Sequence, residues 1–127
     1  MLATEQDQEL LLIVNLAMIW PEMRFEIVLA PDASKALQRL PARVRSEVRD
    51  AIERHLRFEP TKTSKSRIKS LRGLMQPQYR LRVNDIRVFY DVTETSVEIL
   101  AIVEKQEAQA WLDQEGTSGE SGGSGQG

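Results

Sequence analysis

Cysteine is absent from the 127 residues and histidine occurs once, at His55. Without thiols there are no disulfides and no thiolate metal sites, and nothing in the composition points to secretion. One imidazole gives little foundation for a Ser-His-Asp triad or a multi-histidine centre. No Gly-rich phosphate loop, metal-binding motif or internal repeat is present, so neither a metal nor a cofactor is expected. The longest apolar stretch, 10–20 within "ELLLIVNLAMIWPEM", is interrupted by Asn15. It falls short of the roughly 20 residues that span a bilayer. No basic segment precedes it, which makes it a poor signal peptide. No membrane partner is expected.

Basic residues are missing from both ends. Residues 1–22 and 113–127 contain no Lys or Arg, so all 17 lie in 23–112, against 12 acids, a net +5. Residues 62–87 are denser still. They hold Lys62, Lys65, Arg67, Lys69, Arg72, Arg80, Arg82 and Arg87 against Asp85 alone, a net +7. Charge so concentrated favours an anionic partner, although a solvated basic face accounts for the composition equally well. The overall net charge of −2 conceals this segregation.

What remains reads as one domain of ordinary globular composition. Residues 1–22 form an N-terminal extension, either a docked helix or the product of a start assigned upstream of Met23; Pro21 breaks the chain just before an intact domain start. "RFEIVL", 24–29, alternates as a half-buried strand. Ala33, Ala36, Leu37 and Leu40 have helical spacing between Pro31 and Pro41. Val44, Val48, Ile52 and Leu56 repeat every four residues on a second helix, giving a helical hairpin. His55 lies beside Ile52 and Leu56 as a packed or edge residue. Ile68 and Leu71 fit a helical turn ending at Gly73. "SVEILAIV", 96–103, is apolar on both faces, as in a strand covered on both sides. "KQEAQAWLDQEG" closes the domain with a short helix stopping at Gly116. The domain is bounded at 23–112, and 113–127 is a flexible, acidic, Gly/Ser-rich tail.

The informative stretch is "YRLRVNDIRVFYDV", 79–92. With Asn84-Asp85 as a two-residue turn, Val83 pairs with Ile86, Arg82 with Arg87, Leu81 with Val88, Arg80 with Phe89 and Tyr79 with Tyr90. Alternation then gives a core face of Tyr79, Leu81, Val83, Ile86, Val88 and Tyr90, and an opposite face of Arg80, Arg82, Arg87 and Phe89. Arg82 and Arg87 stand with Cβ atoms about 5 Å apart. Charges at that separation repel by about 0.8 kcal/mol in water and roughly four times that at an effective dielectric of 20. An anion between them removes the conflict, since guanidinium forks match phosphate oxygens. Phe89 beside Arg80 offers a surface for stacking a base. The alternatives are internal pairing with Asp91 or Glu98, and Phe89 as core under the last helix.

"LPARVRSEVRDAIERHL", the Leu71/Gly73 element of "SLRG", the hairpin and "VEILAIV" together resemble the RelE/ParE superfamily of bacterial type II toxins, over about 23–112. The resemblance implies an α+β fold of order β-α-α-β-β-β-(α), with an antiparallel sheet packed against the N-terminal helical hairpin. It also implies a cytoplasmic toxin, and a cognate antitoxin whose tail buries apolar side chains along the helices and neutralises the basic face. Residues 10–20 are apolar enough to fill such a groove in cis. RelE-like toxins cut mRNA on the ribosome without metal. By position, Arg80, Arg82 and Arg87 match their basic hairpin residues and take the catalytic role, with Lys62, Lys65, Arg67, Lys69, Arg72, Phe89 and Lys105 as further RNA-binding residues. The reaction is attack of a ribose 2′-hydroxyl on the adjacent phosphate, which needs a base, an acid and stabilisation of the phosphorane. Arginine supplies only the last. Many members add an arginine after the last strand and a tyrosine or histidine in the closing helix. Here Gln106, after Lys105, stands near the first position, and Trp111 or Leu112 at the second. The departure leaves two other readings open: a ParE-like, non-enzymatic binder of DNA gyrase, and a silent member that only binds RNA or antitoxin.

Overall fold

Alternation in "RFEIVL" produces strand β1, Glu26–Leu29, in a computed structural model that describes residues 24–118. The expectations for residues 1–22, and for the tail beyond 118, lie outside the described residues. Helix α1 spans Pro31–Arg39, with Pro31 in its first turn, where no amide hydrogen is needed. Asp32 near its start and Arg39 near its end suit the helix dipole. Helix α2, Ala42–Ala51, follows after Pro41. The guanidinium of Arg45 donates to the carbonyls of Gln38 (3.1 Å) and Leu40 (3.2 Å), satisfying acceptors that the end of α1 leaves open.

The second helix continues as a π turn over Ile52–Leu56. An apolar stripe repeating every four residues drifts by about 40° per step around an α-helix of 3.6 residues per turn. A wider π turn counters that drift. Val48, Ile52 and Leu56 thereby all reach the core.

Strands β2 (Ile68–Ser70), β3 (Leu74–Gln76), β4 (Tyr79–Val83), β5 (Ile86–Val92) and β6 (Ser96–Glu104) follow, then helix α3 (Lys105–Glu115) and β7 (Thr117–Ser118). The main sheet has the order β1-β6-β5-β4-β2. The meander β4-β5-β6 is antiparallel with the expected hairpin register, from Val83↔Ile86 to Tyr79↔Tyr90. Asn84 takes φ 54°, the left-handed conformation that a tight hairpin turn demands and that Asn tolerates.

Three expectations are corrected. Ile68 and Leu71 do not share a helical turn: 68–70 is an edge strand paired antiparallel with β4, Lys69 opposite Arg80. The sheet is not wholly antiparallel, because β1 runs parallel to β6. Residues 74–76 and 117–118 form a separate two-stranded ribbon. Residues 117–118, expected within the flexible tail, are thus strand, while the closing helix ends at Gly116 as expected. Gly116 permits that last turn: a Cβ there would lie 2.6 Å from the Leu112 carbonyl oxygen.

Helices α1 and α2 bury Leu37, Val48, Ile52 and Leu56 against the sheet face made by Leu81, Val83, Ile86, Val88, Tyr90, Val97, Ile99 and Ile102. Tyr90 is fully buried, and its hydroxyl donates to the Pro60 carbonyl at 2.6 Å. The result is an α+β layer structure whose opposite sheet face is partly covered by α3. Among the described residues no helix is long and apolar enough to cross a membrane.

Candidate functional site

The β4–β5 register sets the outer face of the sheet. One row across the strands reads Lys69, Arg80, Phe89, Ala101 and the next reads Arg82, Arg87, Val103. Four cations, Lys69, Arg80, Arg82 and Arg87, therefore come from three neighbouring strands to one face. The backbone N–H of Arg82 donates away from β5, to the Arg67 carbonyl at 2.8 Å. Arg82 and Arg87 thus form a non-hydrogen-bonded pair, the geometry that brings opposed side chains closest.

The three arginines differ in setting. Arg82 is exposed and Arg80 half-buried. Arg87 is only 8% exposed. One of its terminal nitrogens donates to the carbonyls of Asn84 (2.7 Å) and Ile86 (3.1 Å), which fixes its guanidinium at the hairpin end. The Nε of Arg80 is buried without any hydrogen-bond acceptor. Burial, and then the neighbouring Arg82 guanidinium, draw Arg80 below the usual arginine range. Burial, Arg80 and Arg82 do the same to Arg87, with Asp85 opposing them. Among the described residues no carboxylate lies within 4.0 Å of any of the three. Asp91, on the same face, accepts from Gln76 Nε2 (2.6 Å) and the Gln78 amide (2.8 Å) instead. The arrangement is a cationic surface short of anions, suited to holding phosphate oxygens and stabilising charge that develops on them.

Phe89 does not offer a stacking surface. It is fully buried, and Trp111 of α3 lies on its ring at 5.0 Å between centroids with 8° between planes. It is the core residue under the closing helix. The other named residues scatter. Lys62 and Arg67 line a concavity on the helix side of the sheet, with Arg54 and His55. Lys65 in the loop before β2 and Arg72 in the β2–β3 turn are exposed. Lys105 opens α3, its N–H donating to the Asp85 carbonyl at 2.7 Å, beside the hairpin tip.

Among the described residues, neither a tyrosine nor the histidine joins the arginines. Tyr79 and Tyr90 stack on each other on the core side, 5.5 Å apart. Tyr90 is driven further from ionisation by burial and by Tyr79. His55 belongs to the helix side. Gln106 donates to Glu104 (2.9 Å) and lines a cavity of about 500 Å³ between the hairpin tip and the α1–α2 corner. The sequence singled out Arg67 but not Arg54. Their convergence depends on how the 59–67 loop folds back, which no periodicity reports.

Residues 27–108 match the family model described as the ParE toxin of the type II toxin-antitoxin system, parDE. Among curated proteins none matches the chain significantly. Solved structures share the fold. The toxin–antitoxin complex RelBE2 from Mycobacterium tuberculosis is 23% identical at a TM-score of 0.54, covering 64% of this chain and 98% of that one. The RelB–RelE complex from Methanococcus jannaschii is 18% identical at 0.51, covering 66% and 96%. The YoeB/ParE toxin from Agrobacterium tumefaciens is 17% identical at 0.51, covering 63% and 98%. With the family model spanning most of the domain, the chain belongs to the RelE/ParE family of type II toxin–antitoxin toxins.

Proposed function

We propose that the chain is a RelE-like toxin that inhibits translation by cutting mRNA on the ribosome, with the β4–β5 arginine face as its RNA site. The observation that carries this reading is the unanswered charge: among the described residues no carboxylate lies within 4.0 Å of Arg80, Arg82 or Arg87, and the buried Arg80 Nε lacks an acceptor. A phosphodiester supplies the missing acceptors, because guanidinium pairs with phosphate bidentately. Arg87, fixed on the turn carbonyls, presents a preoriented charge, while the exposed Arg82 closes on the substrate. Both act on the phosphorane that forms when a 2′-hydroxyl attacks. No general acid or base stands beside them among the described residues, so proton transfer falls to water or to groups carried by the ribosome. The site is cytoplasmic in this reading, and a cognate antitoxin restrains the toxin. A groove of about 350 Å³ between β1 and the helices, where Ile27 and Leu29 lie beside Arg49 and Arg57, suits an antitoxin segment carrying both apolar and acidic side chains.

The same lack of a proton donor favours a second reading, a ParE-like toxin that binds DNA gyrase without chemistry, and the family model that matches is the ParE one. Induced expression with mapping of RNA 5′ ends separates the two. New ends at codon boundaries, lost with Arg82→Gln, are expected for the nuclease. Filamentation and DNA breaks with intact messages identify the gyrase binder.

A further inference from the structure

A second group of cations, outside the arginine face, surrounds the concavity between the π turn and the loop before β2. The concavity holds about 250 Å³ and is lined by Arg54, His55, Lys62 and Arg67 with Glu59, Thr63, Ser64 and Ile68. Its one carboxylate, Glu59, is already engaged by Lys62 at 3.8 Å. The guanidinium groups of Arg54 and Arg67 have no ion pair among the described residues. The helix dipole accounts for Arg54 and His55 at the end of a helix. It does not account for Lys62 and Arg67, which arrive from a loop and add charge against them.

The loop is built to hold Arg67 there. Ser64 Oγ accepts from the amides of Arg67 (3.0 Å) and Ile68 (3.3 Å), and the Ser64 amide donates to the Ile68 carbonyl at 2.9 Å. Burial, Arg67 and Arg54 together hold His55 below the ordinary histidine range, as expected of a cation cluster lacking its counter-charge. The position relative to the first site matters as well. The Arg67 carbonyl is the acceptor for the Arg82 amide, so the two groups of cations lie on either side of the β2 edge. One polyanionic strand passing over that edge meets both.

We propose that this concavity is a second phosphate site, taking a backbone phosphodiester of the same single-stranded RNA that the arginine face holds. The proposal rests on the RNA reading of that face. Arg54 and Arg67 contribute the charge, and the Ser64 and Thr63 hydroxyls contribute neutral donors. Lys62 exchanges Glu59 for the phosphate. An acidic peptide fits less well, because a single small concavity next to a row of guanidiniums matches closely spaced phosphates.

His55 is the only histidine in the chain, so its imidazole proton resonance reports the concavity without ambiguity. The full-length protein is titrated with pH in the absence and presence of a six-nucleotide single-stranded RNA. The expected result is a saturable rise in the His55 pKa on adding RNA. Arg54→Gln with Arg67→Gln abolishes the rise and lowers the salt dependence of RNA binding by about two phosphate contacts. Both side chains are exposed, and retained amide dispersion verifies that the double variant folds. Arg82→Gln weakens RNA binding yet leaves the His55 response at saturation. A His55 resonance that ignores bound RNA overturns the second site while Arg82-dependent binding stands. An affinity unchanged by Arg82→Gln overturns the arginine-face reading instead. A response to inorganic phosphate equal to that to RNA at equal concentration, or a response only to an acidic peptide, also overturns the RNA assignment.

Discussion

Arg82 and Arg87 stand directly opposite each other across the β4–β5 ladder, yet only Arg87 is buried, its guanidinium bonded to the carbonyls of Asn84 and Ile86. The Arg87 charge is thus met by backbone dipoles rather than by an internal carboxylate. That asymmetry divides their roles. Arg87→Gln removes charge-assisted bonds and is expected to lower stability by about 1–2 kcal/mol. Arg82→Gln, exposed and unpaired, should change it by no more than about 0.5 kcal/mol. Urea unfolding of both variants measures this, and equal losses would contradict the division.

The Phe89–Trp111 stack is the main aromatic tie between α3 and the sheet, since α3 buries no residue completely. Trp111→Ala should therefore expose Phe89 and loosen the helix. A double-mutant cycle with Phe89→Leu is expected to show a coupling of about 1 kcal/mol, the usual worth of an aromatic pair beyond its area. Additive losses would mean that α3 is held elsewhere.

The hairpin was legible because two local signals agreed: alternation over 79–83 and 86–88, and a turn residue that accepts positive φ. The face carrying Arg80, Arg82 and Arg87 followed from parity alone. Strand β2 was not legible, since Ile68 and Leu71 have helical spacing and only the ladder to β4 overrides it. The parallel β1–β6 pairing joins residues some 70 positions apart, which no local pattern encodes. Parity alone puts Phe89 on the outer face, but what covers that face depends on where α3 docks. Arg54 shows the same limit from the other side, because its neighbours come from a loop without periodicity.

Asp91 shares the face of the arginines, but its carboxylate is committed to Gln76 and the Gln78 amide. It therefore fastens the β3–β4 corner. Asp91→Ala leaves the Gln78 amide without its acceptor and should cost about 1–3 kcal/mol. Asp91→Asn keeps one acceptor and should recover much of that loss. Amide exchange at Gln78 is the measurement: faster in Asp91→Ala than in Asp91→Asn, with similar protection in both counting against the assignment.

Histidine gives the fold its own pH dependence. Burial, Arg67 and Arg54 lower the His55 pKa from its usual 6.5, so the folded state disfavours the imidazolium relative to the unfolded chain. The unfolded state then binds more protons in the window just below pH 6.5, and stability must fall as pH drops through it. Above that window His55 is neutral in both states and contributes no slope. Carboxylates add their own loss at lower pH, so the comparison needs a reference. Thermal midpoints of the parent protein and of His55→Gln between pH 8 and pH 5 provide it: the two curves should run parallel above pH 7 and the parent should fall more steeply below 6.5. Curves that stay parallel throughout would mean that the imidazolium meets no penalty in the fold.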